Sequence, residues 1–403
     1  MNDVIVIGAG PAGNNTAYRL ASLGHDVLVA DWRQNVGDKL CTGIVGTECI
    51  DRYPPHPDLI YKSVRSARLV TPDGRTSELS VGGVQAHIID RVGYVASMAE
   101  KAKDAGAAYL LGSRATEVTV KEDRCQVRFT TGSGQWTGEA KAVVLASGFG
   151  SELSFKAGLG RPDDYVGAAQ AEVEAPEIDR ISIYVGRSVA PGFFAWLVPT
   201  SNGRALVGLL ARHRAMEHLD GLIAQLKSEG KIADVLRGPS KWGIPLKPPS
   251  RTYGHRILAV GDVAGQVKPT TGGGIYYALL SSDAASDCLE DAFKRNDFST
   301  GSLSTYERKW KSLLSKELKV GSLARRFFES LDDNQISYLA NAVVANGLSS
   351  HLGGSLMPSF DWHSRAITKA LSYPPLSKAL TLVSPVLAGV VPHAANASPT
   401  RRD

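Results

Sequence analysis

The sequence predicts an α/β (α+β) fold: a parallel-sheet domain, an antiparallel-sheet domain and a helical C-terminal tail. Two ordered motifs and one change of pattern predict it. Residues 3–31 read DVIVIGAGPAGNNTAYRLASLGHDVLVAD. Val4 to Ile7 is a continuous apolar run, as in a parallel strand covered on both faces. Gly8, Gly10 and Gly13 follow in G-x-G-x-x-G spacing, then Ala17, Leu20 and Ala21 at helical intervals, with Gly24 closing the turn. Val27 to Ala30 is a second strand, and it delivers an acid, Asp31. In such a unit the first glycine permits a tight turn, the second admits a pyrophosphate, and the third lets helix and strand touch. The helix N-terminus attracts the phosphates, and Asp31 would accept hydrogen bonds from a ribose.

The second motif is ILAVGDVAGQVKPTTGGGIYYALLSS, residues 257–282. An apolar strand brings Gly261 and Asp262 to its carboxyl end, where ligands bind in open α/β sheets. Asp262 can accept from polyol hydroxyls. The loop from Pro269 to Gly274 offers backbone N–H groups to a carbonyl-rich ring, and a helix starts near Ile275.

Between the motifs the pattern changes. Residues 64–89 read as strands with a turn at Pro72-Asp73-Gly74, and Asp90 caps a helix over 91–103. Val118–Val120 and Gln126–Thr130 suggest an antiparallel pair, and Ala142–Ala146 another buried strand. From about 163 to 250, Ile181, Ile183 and Val185 alternate with polar residues, and strands flank a turn at Ser201-Asn202-Gly203. Tyr306, Trp310, Leu314 and Leu318 then keep helical spacing. The expected partition is 1–162 with 251–300 for the nucleotide-binding domain, 163–250 for the antiparallel domain and 301–403 for the helical region.

Composition excludes several classes. In 403 residues, 43% apolar and 21% charged content describe a globular protein. A net charge of +5 with both signs dispersed gives no reason to expect nucleic acid. Cys41, Cys49, Cys125 and Cys288 form no C-x-x-C pair, which fits a reducing cytoplasm, and no metal-ligand spacing stands out. With the first strand at residue 4, no signal peptide is expected. No apolar run reaches the ~20 residues of a membrane span, though Leu380–Val391 is apolar enough to suggest a packing segment or a peripheral membrane contact.

Taken with the A-S-G ending near Gly148, the two motifs resemble FAD-binding oxidoreductases of the p-hydroxybenzoate hydroxylase and glutathione reductase superfamily. Within it, the chain is most similar to the geranylgeranyl reductases. Pro191 to Pro199, PGFFAWLVP, resembles that family's Y-x-W-x-F-P element, with Phe194 and Val198 at its tyrosine and phenylalanine positions. The following G-x-G is reduced to Gly208 with Leu210 after it. The resemblance implies an FAD-binding Rossmann-like domain and reduction of the double bonds of a geranylgeranyl or polyprenyl substrate, either a diphosphate or an isoprenoid lipid. It implies FAD contacts from Gly8, Gly10, Ala12, Gly13, Asp31, Cys41, Thr42, Arg91, Ala115, Asp262, Gly274 and Ile275. It places Phe193, Phe194, Trp196 and Pro199 against the substrate; Cys41, Tyr276 and Tyr277 are candidate proton donors by position alone, with water as an equal alternative. The external electron donor stays open between NADPH, a ferredoxin protein and other carriers. Two alternatives share the fold. A monooxygenase would be expected to carry a histidine where Gly265 stands, and a halogenase to carry W-x-W-x-I-P. A non-catalytic prenyl-binding escort protein would have little reason to keep Asp31, Arg91 and Asp262 together.

Overall fold

The computed structural model describes residues 1–37, 41–80, 82–345 and 359–372; the apolar segment 380–391 lies outside them. In chain order the first elements are β1 (Asn2–Ile7), α1 (Pro11–Ser22), β2 (Val27–Ala30), β3 (Ile44–Gly46) and α2 (Thr47–Arg52). Next come β4 (Ile60–Val64), β5 (Ser66–Val70), β6 (Thr76–Ser80), β7 (Ala86–Ile89) and α3 (Arg91–Asp104). They lead to β8 (Ala108–Leu110), β9 (Arg114–Val120), β10 (Cys125–Thr131), β11 (Gly134–Leu145) and the short α4 (Leu153–Lys156). The middle of the chain carries β12 (Tyr165–Glu174), β13 (Ile181–Val185), β14 (Phe194–Pro199), β15 (Arg204–Ala211), α5 (Ala215–Ser228) and β16 (Val235–Pro245). The remainder is β17 (Tyr253–Gly254), β18 (Ile257–Ala259), α6 (Ile275–Arg295), α7 (Thr300–Ser330), α8 (Asp333–Ala345) and α9 (Ser364–Ser372).

Three sheets result. The first has the order β17-β18-β11-β1-β2-β8, with β10 and β9 attached through β11. Its centre is parallel: Val4 pairs with Ala142 on one side and Val27 on the other. Such strands meet packing on both faces, which explains their uninterrupted apolar runs. One face packs on α1, α3, α6 and α7 through Leu20, Tyr94, Leu279 and Trp310. The opposite face is filled by Ile5, Ile7, Phe129 and Leu145.

The second sheet runs β16-β12-β15-β14-β13-β5-β6. Side chains of β14 alternate across it. Ala195 and Leu197 meet Leu219 and Leu222 of α5, whereas Trp196 and Val198 face the other way with Phe193, Leu210 and Ile244. A three-stranded sheet, β3-β7-β4, contributes Ile88 and Val64 to that second cluster.

Hydrogen bonding divides the chain differently from the sequence partition. Strands β5 and β6 lie within the expected nucleotide-binding stretch 1–162, yet β5 pairs with β13 in the seven-stranded sheet. Only Arg65 separates β4 from β5, so the chain changes sheets across a single residue. Several elements have no clear pattern in the sequence, these among them: the stretch following Cys41 forms β3 and α2, and residues 235–245 form the edge strand β16.

Candidate active site

A single cavity of about 2100 Å³ runs from the Gly8–Ala12 turn past the 270–274 loop to the aromatic face of the seven-stranded sheet. One small-molecule ligand typically occupies ~300–1,000 Å³. The space therefore suits a cofactor and a substrate together.

At the first end, three glycines act in three ways. A Cβ on Gly8 would lie 2.3 Å from the Ala146 carbonyl oxygen, and one on Gly13 would lie 1.8 Å from the Gly8 oxygen. Gly8 lets the end of β1 meet the end of β11, and Gly13 lets α1 touch the turn after β1. A Cβ on Gly10 would meet no protein atom within 4 Å, because it would project into the cavity. That is the cradle a pyrophosphate needs, and Pro11 opens α1 directly behind it.

Buried polar groups fix the turn. Asn14 Nδ2 donates to the carbonyls of Ala9 and Val95, at 3.1 Å each, while its oxygen accepts from the Tyr109 hydroxyl at 2.9 Å. The Asp31 carboxylate is buried and accepts from the amides of Ala9 and Arg33, both at 2.8 Å. A carboxylate has about four acceptor positions, so two remain to be directed at ribose hydroxyls.

Of the expected cofactor residues, Gly8, Gly10, Ala12, Asp31, Cys41, Thr42, Arg91, Ala115, Asp262, Gly274 and Ile275 all line this cavity. Gly13 sits behind it, in the helix–strand contact. Arg91 is buried, and its guanidinium donates to the Gly37 carbonyl at 2.6 Å. The residues fit FAD at the pyrophosphate turn, the ribose acid and the glycine loop.

At the second end, Phe193, Phe194 and Trp196 line the cavity. Pro199 does not: it ends β14, paired with Ala205 away from the cavity. Alternation along the strand explains part of the difference, since a wall needs side chains on one face only. The Trp196 indole lies over Gly208, where a Cβ would come within 2.6 Å of the ring. Its Nε1 donates to Gln170 Oε1 at 3.3 Å, and the same oxygen accepts from the Thr42 hydroxyl at 3.2 Å. Gln170 thus ties the aromatic wall to the Cys41-Thr42 loop.

Other lining residues escaped the sequence reading: Phe149, Trp242, Phe328, Phe360 and Lys268. Trp242 comes from the edge strand β16. It stands beside Gly243, where a Cβ would strike the Phe149 ring at 2.1 Å.

Two of the three candidate proton donors reach the cavity, Cys41 and Tyr276, whereas Tyr277 does not. Burial, followed by the charges of Glu48 and Asp361, pushes the Tyr276 phenol up to about 12. At Gly265 φ is +63°, and a Cβ would lie 2.5 Å from the Lys247 oxygen. The histidine expected of a hydroxylase would not fit this backbone.

Known proteins match this arrangement along nearly its whole length. The pyridine nucleotide-disulphide oxidoreductase family matches residues 2–175. A digeranylgeranylglycerophospholipid reductase of Methanothermobacter thermautotrophicus is 30% identical over 86% of this chain and 93% of its own. The chain belongs to the geranylgeranyl reductase family. Its fold matches a geranylgeranyl bacteriochlorophyll reductase-like protein of Thermoplasma acidophilum, with a TM-score of 0.83 at 24% identity over 95% of this chain and 99% of that one. A p-nitrophenol 4-monooxygenase of Pseudomonas putida shares the fold at a TM-score of 0.69 and 16% identity over 93% and 98% of the two chains. This geranylgeranyl reductase is accordingly an FAD-dependent oxidoreductase. None of its described helices is long and apolar enough to cross a membrane.

Proposed function

We propose that this reductase hydrogenates the isolated carbon–carbon double bonds of geranylgeranyl chains carried on a glycerophospholipid. The observation that carries this reading is the continuity of the cavity, from the Gly10 cradle to Phe193, Phe194 and Trp196. A polyprenyl chain has no polar handle, so rings and aliphatic side chains are the recognition available to it.

Adding H2 across an alkene takes a hydride at one carbon and a proton at the other. Reduced FAD supplies hydride chemistry when bound. The chain's own work is holding and shielding. Gly8, Gly10, Asp31, Arg91 and Asp262 hold the cofactor, and the aromatic wall aligns the alkene and keeps water away. Cys41, partly exposed in the cavity, is the proposed source of the proton. Reducing equivalents come from an external carrier, NADPH or a ferredoxin-type protein. The substrate is a membrane lipid, which implies peripheral contact with the membrane from the cytoplasmic side.

The test is anaerobic. Pre-reduced enzyme given a geranylgeranyl glycerophospholipid should return products heavier by about 2 Da per double bond. A gain of about 16 Da seen only in air would instead establish oxygen transfer. No change with a competent reductant present would leave a prenyl-binding protein.

A further inference from the structure

The wall between the 270–274 loop and the C-terminal segment holds a charge that the chemistry above does not use. The Lys268 side chain is only 5% exposed, beside an Asp361 side chain at 2%. Lys268 Nζ donates to the Phe360 carbonyl at 2.6 Å and lies 3.5 Å from Asp361 Oδ1. It also sits over the rings of Phe360 and Tyr277. Asp361 Oδ2 accepts from the Cys49 amide at 3.2 Å, so the pair joins three parts of the chain. Burial pulls the lysine down and pushes the aspartic acid up, and their mutual attraction opposes both shifts.

A buried ion pair is seldom a net gain in stability over apolar packing of the same volume, but it fixes one arrangement. What it fixes here is a short segment. Alongside the packing of Trp362 on Tyr276 and Tyr277, residues 359–372 are held by polar contacts: His363 Nδ1 with the Thr270 hydroxyl at 2.5 Å, and the amides of His363 and Ser364 with Glu317 at 2.8 Å. The Ser359 hydroxyl and Trp362 Nε1 both donate to Glu48. Each contact lands on a neighbour of the cavity: the 268–274 loop, α2 or α7. Phe360, Asp361 and Ile367 from this segment line the cavity together with Thr270 and Thr271. A slip of the segment would move Phe360 and Ile367 within the space a prenyl chain occupies.

We propose that Lys268 is a positioning residue, whose buried ammonium clamps Phe360 and Asp361 and so sets the register of the 359–372 wall against the glycine loop. The prenyl consequence rests on the function proposed above; the clamp itself does not.

The test uses full-length, FAD-loaded protein. Lys268→Met keeps the volume and removes the charge, Lys268→Arg keeps the charge, and Asp361→Asn weakens the pair from the other side. In Lys268→Met and Asp361→Asn, amide hydrogen exchange across 359–372 should accelerate at least tenfold while β1 and α1 keep their protection. Flavin absorbance should be retained, the KM for the geranylgeranyl lipid should rise more than kcat falls, and Lys268→Arg should restore part of both. Unchanged exchange in 359–372, acceleration spread evenly over the chain, or failure of both variants to fold would overturn the clamp. If the wild type ignores prenyl lipids while the variants show the localised exchange effect, the proposed substrate is overturned and the clamp stands.

Discussion

At one end of the cavity the protein presents a turn of backbone, Gly8 to Ala12, with one acid held by two amides. At the other it presents rings: Phe193 and Phe194 at β14, Trp242 on β16, Phe328 on α7 and Phe360 beyond α8. The first surface comes from one β-α-β unit. The second is assembled from separate segments spread between residues 193 and 360. A backbone surface tolerates no Cβ and fails abruptly. A side-chain surface is redundant, so single changes there should shift affinity while the cofactor stays bound.

Gly13→Val should break this contrast most severely. Its side chain would occupy the Gly8 carbonyl, 1.8 Å from the Cβ position, so soluble folded protein should be lost altogether. Gly10→Leu, three residues away, should fold with a melting temperature close to that of the FAD-free wild type, because its Cβ meets nothing within 4 Å. It should nevertheless purify colourless. A yellow Gly10→Leu protein would show that the cradle holds no pyrophosphate.

Trp196→Ala comes next. Truncating a buried aromatic costs about 3 kcal/mol or more. Because the lost contacts face the cavity, a large part should appear as a raised half-saturating concentration for long prenyl substrates, with the flavin spectrum nearly unchanged. Loss of FAD would make Trp196 part of the folding core only. Gly208→Ala should act in the same direction by pushing the indole off its seat, and Trp196→Phe should relieve only that part, because the new Cβ would also lie 2.8 Å from the Ala169 carbonyl oxygen. Additive effects in that double variant would separate the two residues.

The smallest effect concerns pH. Burial, then the nearby Lys268 charge, lowers the His363 imidazole to about 4 from an ordinary value near 6.5. Its folded value lies below its unfolded value, so the unfolded chain binds the extra proton. Stability is therefore unaffected above about pH 6.5 and is lost as pH falls toward 4. His363 retains some solvent contact, which limits the loss to no more than about 2 kcal/mol at pH 5. Thermal melts of wild type and His363→Gln should converge as pH drops through this window. Parallel curves would remove His363 from the acid response.

The same contrast explains what could be read in advance. The β1-α1-β2 unit announces itself because all its constraints are local: apolar run, glycines, helix period and acid within 29 residues. Asp262 and the glycine loop were legible for the same reason. Strand β16 was not, since Gly238, Pro239 and Gly243 interrupt its pattern. An edge strand can carry such breakers because one side of it needs no partner. Nor could any local pattern have shown that β5 leaves the first domain to pair with β13, because that pairing joins residues more than a hundred positions apart. Pro199 was misplaced by treating a motif as one surface when its residues alternate between two. Lys268 was hidden because its partners lie 92 and 93 positions downstream.

The amide of Cys49 reaches Asp361 across 312 positions of sequence. Closing so long a loop is entropically slow, whereas β1, α1 and β2 meet at once. The order of assembly should follow: the flavin-binding half can form early, and the wall that completes the cavity arrives with the last part of the chain. In refolding with free FAD, quenching of flavin fluorescence should precede amide protection of residues 359–372. Simultaneous phases would mean that the two halves fold as one. With the expected order, the newly made protein takes up its cofactor before it has a finished place for its lipid.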